Sequence, residues 1–355
     1  MRRLRNLVLG VSAFGLLAAG AGLAIARFAR DPSGGCHGYA GCLTVSDSRA
    51  PRVIIDSNSA FGLHKPTAIA MCRGHLWVTD AGGDSVTEFA WKAGSKPVVW
   101  SGHRYRFSAP GAITVGRNVI WVANSDSITE MKTTDGTVVR VISGPAWIDK
   151  PRALVLFGRK LWVANATSVT EINAVTGSPI AIFRQGRYGF SHPSAMAISH
   201  RRLWVANSGN DSVTEMDATT GALVAILRDK SFRFVDPIAE TAAPTRLWVA
   251  SPSSNSLSEI DTASAKLIRV ISGQRRGIVG PTAMALASGR LWVANAGNSS
   301  VTELDTASGR LVSLLAGARY GFASPAGLVA AHGRLWVMNQ ASATVTELIP
   351  RQRAR

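Results

Sequence analysis

The chain has 355 residues, 46% hydrophobic and 17% charged, with a formal net charge of +17. That much apolar material can bury a large core, which excludes a wholly disordered chain, and because a repeat array grows by addition the length requires only one domain. The basic excess either serves solubility or points to acidic partners such as envelope polymers, anionic lipid surfaces or nucleic acid.

Leu7 to Ala26 form twenty consecutive uncharged, mostly apolar residues, which as a helix reach roughly 30 Å, the depth of a bilayer's hydrocarbon core. Arg2, Arg3 and Arg5 precede them, and a basic head before an apolar run is an export signal or a membrane anchor. Ala24 and Ala26 provide a small-x-small cleavage pattern. The run nevertheless exceeds a usual signal core and is closed by Arg27 and Arg30, so residues 1–30 read as an uncleaved single-pass anchor, with secretion after cleavage as the alternative. The remainder then lies outside the cytoplasm, where disulfides are permitted. Residues 31–49 form a linker in which Cys36 and Cys42 either bridge a small loop or stay free thiols. Cys72 lies in an apolar strand and reads as a small buried hydrophobe. Without the five arginines and Asp31 of the first 31 residues, the exported part still carries +13.

Residues 50–349 repeat one unit seven times, and 350–355 form a basic tail. The unit is LWVANSGNDSVTEM at Leu203 to Met216, and its tryptophans recur at Trp77, Trp121, Trp162, Trp204, Trp248, Trp292 and Trp336 with a period of 41 to 44 residues. Each stands eleven residues after a proline: Pro66, Pro110, Pro151, Pro193, Pro237, Pro281 and Pro325. After the proline come an apolar strand, a turn, the tryptophan strand, a polar loop, a strand such as SVTEM, a turn usually containing Gly, and a last apolar strand. Four short strands repeated seven times predict an all-β, seven-bladed propeller with four-stranded blades, preceded by one N-terminal transmembrane or signal helix. The last repeat stops after its third strand. Residues 51–66 match 310–325 in length and pattern, so residues 51–58 are expected to complete blade seven and remove an open edge.

The WVAN element resembles the signature of YVTN-type and NHL-like propeller repeats, Tyr-Val-Thr-Asn in the first family matching Trp204, Val205, Ala206 and Asn207 here. The resemblance spans residues 51–349. It departs in using Trp for Tyr, in Asp80 and Ser251 for Asn, and in the shorter loops of blades two and three. It implies the propeller fold; on function it implies only a choice, since such propellers include sensor domains, binding scaffolds and the streptogramin lyase group.

Residues present in every blade read as structural. Glu88, Glu130, Glu171, Glu215, Glu259, Glu303 and Glu347 are expected to accept hydrogen bonds within or between blades, and Asn124, Asn165, Asn207, Asn295 and Asn339 to bond the loop that follows. The small residue two after each proline, alanine in six blades and Gly327 in the last, marks close approach at the axis. Function is sought where symmetry breaks. Glu240 occupies a position that is Ile, Leu or Met elsewhere, and reads either as a functional acid of raised pKa or as half of an internal ion pair with an arginine. Blade five also has Ala265 where most blades carry a turn glycine.

The loops between blades carry Phe61, Tyr105, Tyr188, Phe232 and Tyr320 five residues before the proline, flanked by Arg104, Arg106, Arg187, Arg233, Arg275, Arg276 and Arg319. Basic and aromatic groups converging on one face suit an anionic polymer by charge and stacking; the alternative is that the arginines solvate loops while the rings pack between blades. His64, His103 and His192 fall on the same face, and no zinc, phosphate-loop or nucleophile-elbow motif is present. The reading is a membrane-tethered, extracytoplasmic binding module without a cofactor, for an anionic polymer or a protein, with nucleic acid the less favoured partner. The alternative is a metal-dependent lyase of the streptogramin-lyase type. No catalytic residue or metal ligand is assigned.

Overall fold

The computed structural model describes residues 14–15, 43–44, 52–55, 62–90 and 96–352. Seven antiparallel four-stranded sheets succeed one another, one per repeat. In blade four the strands are Pro193–Ser199, Arg202–Asn207, Ser212–Asp217 and Leu223–Leu227. First strands pack against the first strands of neighbouring blades, which makes them the inner ring and the fourth strands the rim. Ala68, Ala112, Ala153, Ala195, Ala239 and Ala283 are fully buried there, as close approach requires. The seven tryptophans of the second strands are buried too, each at most 2% exposed.

Register explains the repeat. Trp204 lies between Ala197 on the inner strand and Glu215 on the third, so a small residue leaves room for the indole and the glutamate flanks it. Each symmetric glutamate then meets a cation of its own blade. Five partners come from two residues before the tryptophan: Lys160 at 2.6 Å, Arg202 at 3.3 Å, Arg246 at 2.7 Å, Arg290 at 3.4 Å and Arg334. His75 does the same for Glu88 at 2.8 Å. Blade two has Val119 at that place, and Arg140 reaches Glu130 from the fourth strand at 2.7 Å. A charge buried this deeply needs such a partner, and removing one side would cost about 3–5 kcal/mol.

The asparagines form a second internal ladder. Asn124, Asn165, Asn207, Asn295 and Asn339 each donate through Nδ2 to the third-strand threonine hydroxyl at 2.9–3.0 Å. Those threonines donate in turn to backbone carbonyls of the loop entering the same blade, among them Tyr105 at 2.7 Å, Tyr188 at 2.9 Å and Gly277 at 2.8 Å. The interior of each blade therefore holds its own inter-blade loop. In blade one Asp80 substitutes, its carboxylate accepting from the His64 and Lys65 amides at 2.9 and 2.6 Å.

Closure occurs as the pattern predicts. Arg52–Ile55 pairs antiparallel with Thr344–Leu348 as the fourth strand of blade seven, with Arg52 opposite Glu347 and Val53 opposite Thr346. The N-terminal helix is not shown. Of the run Leu7 to Ala26 only Phe14–Gly15 is described, as a two-residue strand beside the inner strand of blade four. Among the described residues no helix is long and apolar enough to cross a membrane. The rest of residues 1–30, Phe61 and the Cys36 and Cys42 pair lie outside the described residues, as does most of the linker 31–49. Cys72 is half-buried, its thiol donating to the Gly116 carbonyl of blade two at 3.8 Å.

Candidate functional site

Each outer strand feeds an inter-blade loop, and that loop lies against the polar loop between strands two and three. Backbone bonds join them, from Ser125 to Ser108 at 2.9 Å, Ser208 to His192 at 3.2 Å and Ala296 to Gly280 at 3.0 Å. Both loop sets therefore form one face of the ring, and the hairpin turns form the other. Neighbouring blades are tied across this face: Asp84 accepts from the Ala109 amide at 2.6 Å, Asp211 from Asp236 at 2.7 Å and Asn255 from Gly280 at 2.7 Å.

Arg104, Arg106, Arg187, Arg233, Arg275, Arg276 and Arg319 are all exposed on this face. The aromatic residues behave differently from a stacking platform. Tyr105 and Tyr320 are buried and Tyr188 is half-buried. Each stacks on the phenylalanine two residues later, at 5.2, 5.3 and 5.5 Å between centroids for Tyr105, Tyr320 and Tyr188. Arg104 and Arg319 sit over the Tyr105 and Tyr320 rings at 4.7 Å, and Arg187 over Tyr188 at 6.0 Å. The reading of free rings is corrected accordingly: they pack between blades, a ring on one side and a guanidinium on the other, because the apolar residue three before each proline must be covered. Tyr105→Ala is expected to lower stability by about 3 kcal/mol, as large-to-small changes in a core do. Thermal unfolding checks this, and an unchanged melting point with weakened ligand binding would restore Tyr105 to the surface.

Blade six lacks this arrangement. The position five before its proline is Arg276, not an aromatic residue, so neither Arg275 nor Arg276 has a ring beneath it. Among the described residues the side chains of Arg106, Arg233, Arg275 and Arg276 make no ion pair, hydrogen bond or ring contact.

Glu240 lies on the inner strand Ala239–Ala243, fully buried, with Val249 beside it in register and Ala197 of blade four across the seam. Neither carboxyl oxygen has a hydrogen-bond partner among the described residues. The expected ion pair with an arginine is not formed among the described residues. Burial raises the Glu240 pKa well above 4.5, and only the Ala197 amide pulls the other way.

One feature was not legible in the motifs. Between blades five and six, on the loop face, lies an open depression of about 310 Å³ lined by Asp236, Ile238, Pro252, Ser253, Gly280, Thr282, Ala296 and Gly297. In three seams a hydroxyl just after the proline bridges to the next blade's proline carbonyl: Thr67 to Pro110 at 2.5 Å, Ser194 to Pro237 at 2.6 Å and Thr282 to Pro325 at 2.6 Å. Blade five has Ile238 at that place, which offers no such bridge to blade six.

Among the described residues no group of three His, Cys, Asp or Glu side chains is placed to hold a metal ion. His64 stands against Asp80 at 3.3 Å and His75 is paired with Glu88.

No family model and no curated protein matches the chain. Solved structures do. A streptogramin B lyase structure aligns over 82% of this chain and 95% of its own, at 14% identity and a TM-score of 0.69. A catalytically inactive virginiamycin B lyase from Staphylococcus aureus, solved with quinupristin, aligns over 84% and 97%, at 14% identity and 0.68. Hydrazine synthase of Kuenenia stuttgartiensis aligns over 84% and 98%, at 16% identity and 0.64. The shared property is the fold, a propeller like that of streptogramin B lyase.

Proposed function

We propose that this chain is a binding module that recognises an anionic polymer or an acidic protein surface through its loop face. The observation that carries this reading is the set of seven exposed inter-blade arginines, four of them without an intramolecular partner. Guanidinium groups held on a rigid ring and left unpaired suit carboxylate and phosphate.

Export and a membrane tether belong to the same proposal, resting on Arg2, Arg3, Arg5 and the apolar run from Leu7 to Ala26. Because the strand Arg52–Ile55 runs toward an inter-blade loop, the chain enters the ring from the turn face. An anchor before it would leave the arginines pointing away from the bilayer.

Polyphosphate binding to the full chain should weaken roughly a hundredfold between roughly 50 and 200 mM salt, since several neutralised charges release counterions. Arg106→Glu with Arg233→Glu should weaken it about tenfold further while shifting the melting point little, because exposed charges contribute only about 0–1 kcal/mol to stability. Salt-independent binding would remove the electrostatic face from consideration. The lyase reading is the weaker one, since the structural likeness to streptogramin B lyase is a likeness of fold and no three described His, Cys, Asp or Glu side chains converge. Turnover of a cyclic depsipeptide that depends on Mg²⁺ would reverse that order.

A further inference from the structure

We propose that the seam between blades five and six is a site for a small organic anion with an apolar body, its charged end on Arg275 and Arg276 and its apolar end in the adjoining depression. This rests on the loop face being the recognition surface, and it names where on that face the specific site lies and what chemistry it takes.

Three independent departures from the repeat meet at this seam. Arg276 replaces the aromatic residue found in the other described loops except that of blade three, which leaves Arg275 and Arg276 adjacent, exposed and unpaired. Ile238 replaces the bridging hydroxyl present in blades one, four and six, so the seam is open at its inner end. Glycine stands on both sides of the opening, at Gly280 and Gly297, and a Cβ on Gly280 would fall 3.0 Å from the Gly297 amide nitrogen. Each feature has a counterpart elsewhere, with Ala146 in the place of Arg276, Gly111, Arg152 and Ala326 in the place of Ile238, and Gly82 and Gly209 in the place of Gly297, but only at this seam do all three meet.

Geometry joins the two halves of the site. Gly280 in the depression wall is the fourth residue after Arg276, so the backbones lie within about 14 Å and a long side chain can lean across the interval. Arg233 approaches from the other side, its carbonyl held by the Ser254 hydroxyl at 3.2 Å, one residue beyond Ser253 of the wall. The Asn255 side chain ties the two loops by accepting from the Gly280 amide at 2.7 Å. Ile238, Pro252 and Ala296 make the wall largely apolar, while Asp236 is the one acid in it. A carboxylate at that end of the wall disfavours the ligand's anionic group there and leaves the arginines as its place.

Calorimetric titration of the full chain with hexyl phosphate, inorganic phosphate and hexylamine tests the site. Hexyl phosphate should bind about thirtyfold more tightly than inorganic phosphate, the gain expected from burying two or three methylenes. Arg275→Glu with Arg276→Glu should weaken hexyl phosphate at least tenfold, whereas Arg117→Glu, in an exposed hairpin turn of blade two on the opposite face, should leave it unchanged. Ser253→Trp, at the exposed rim, should erase the advantage of hexyl phosphate over inorganic phosphate without lowering the melting point. Equal binding of the two phosphates, tighter binding of hexylamine, or insensitivity to the arginine or Ser253 changes would each overturn the proposal. If hexyl phosphate fails while polyphosphate still binds in a salt-dependent way, this site alone is lost and the face stands. If polyphosphate does not bind either, the reading of the whole face falls with it.

Discussion

Deleting residues 52–55 should lower the melting point by roughly 10 °C or more, and deleting 31–49 should leave it nearly unchanged. The first deletion strips the fourth strand from blade seven and exposes the edge of Thr344–Leu348. Val345 and Leu348 are 0% and 4% exposed in the closed ring, and Glu347 is 6% exposed against Arg334, so the bared strand is one built for the interior. Lost ladder bonds at about 1 kcal/mol each and newly wetted apolar surface together amount to about 3–6 kcal/mol. Closing the ring also constrains the first and last blades against each other, and an unpaired edge invites association between chains. Scanning calorimetry and light scattering on both truncations decide the matter: identical melting of the two would mean that the ring does not depend on its closing strand.

That strand was legible because PRVII aligns with RLVSL only when the ends of the array are compared, and a propeller must close. The tryptophans, glutamates and asparagines were legible for a related reason: any group repeated seven times is held by the same local geometry seven times. What the pattern left out was the identity of each partner. Nothing in Glu130 says that Arg140, on another strand, will replace the cation found two residues before the other tryptophans; only the register, with Val119 at that place, shows it. The tyrosines were open between surface and seam, because an aromatic flanked by arginine suits either position until the stacking on Phe107, Phe190 and Phe322 is seen. The depression between blades five and six was not legible, because a missing hydroxyl at Ile238 is shared by Gly111, Arg152 and Ala326 and only the folded loops at Gly280 and Gly297 show the opening.

Blade five gathers the departures. Besides Glu240, its Ser251 hydroxyl replaces the bridging asparagine and has no partner, and Ala265 adopts a φ of 57° where Gly221 and Gly309 sit in the equivalent turns. An alanine in that left-handed region is strained relative to glycine. Blade five thus lacks two of the repeat's local devices, and it borders the open seam. Sectors that break local rules without gain to the fold are where binding sites are expected.

Glu240→Met should raise stability, and the gain should grow with pH. The buried acid has no hydrogen-bond partner among the described residues, so replacing it with the residue found at this place in blades four and six removes an unsatisfied group worth about 1–3 kcal/mol. Among the described residues no titratable side chain pairs with it, and the neighbouring inner strands Pro193–Ser199 and Pro281–Ala287 carry none. The sign follows from linkage. The folded pKa lies well above the value of 4.5 for a free glutamate, so the folded form holds its proton more tightly than the unfolded form. The folded state therefore loses ground as pH rises from about 4.5 toward the folded pKa, and the penalty is constant above it. Burial also pushes Glu130 and Glu303 up to about 7, which gives the parent chain a slope of the same sign. The informative quantity is consequently the difference between parent and variant, not either curve alone. Denaturant melts at pH 4, 7 and 9 should show that difference smallest at pH 4 and larger at pH 7 and 9, with Glu240→Gln behaving as Met does in its pH dependence while recovering less stability. A difference that does not change with pH would show that Glu240 does not titrate in the seam. A large loss of stability in both variants would mean instead that the carboxyl is held by a cation outside the described residues.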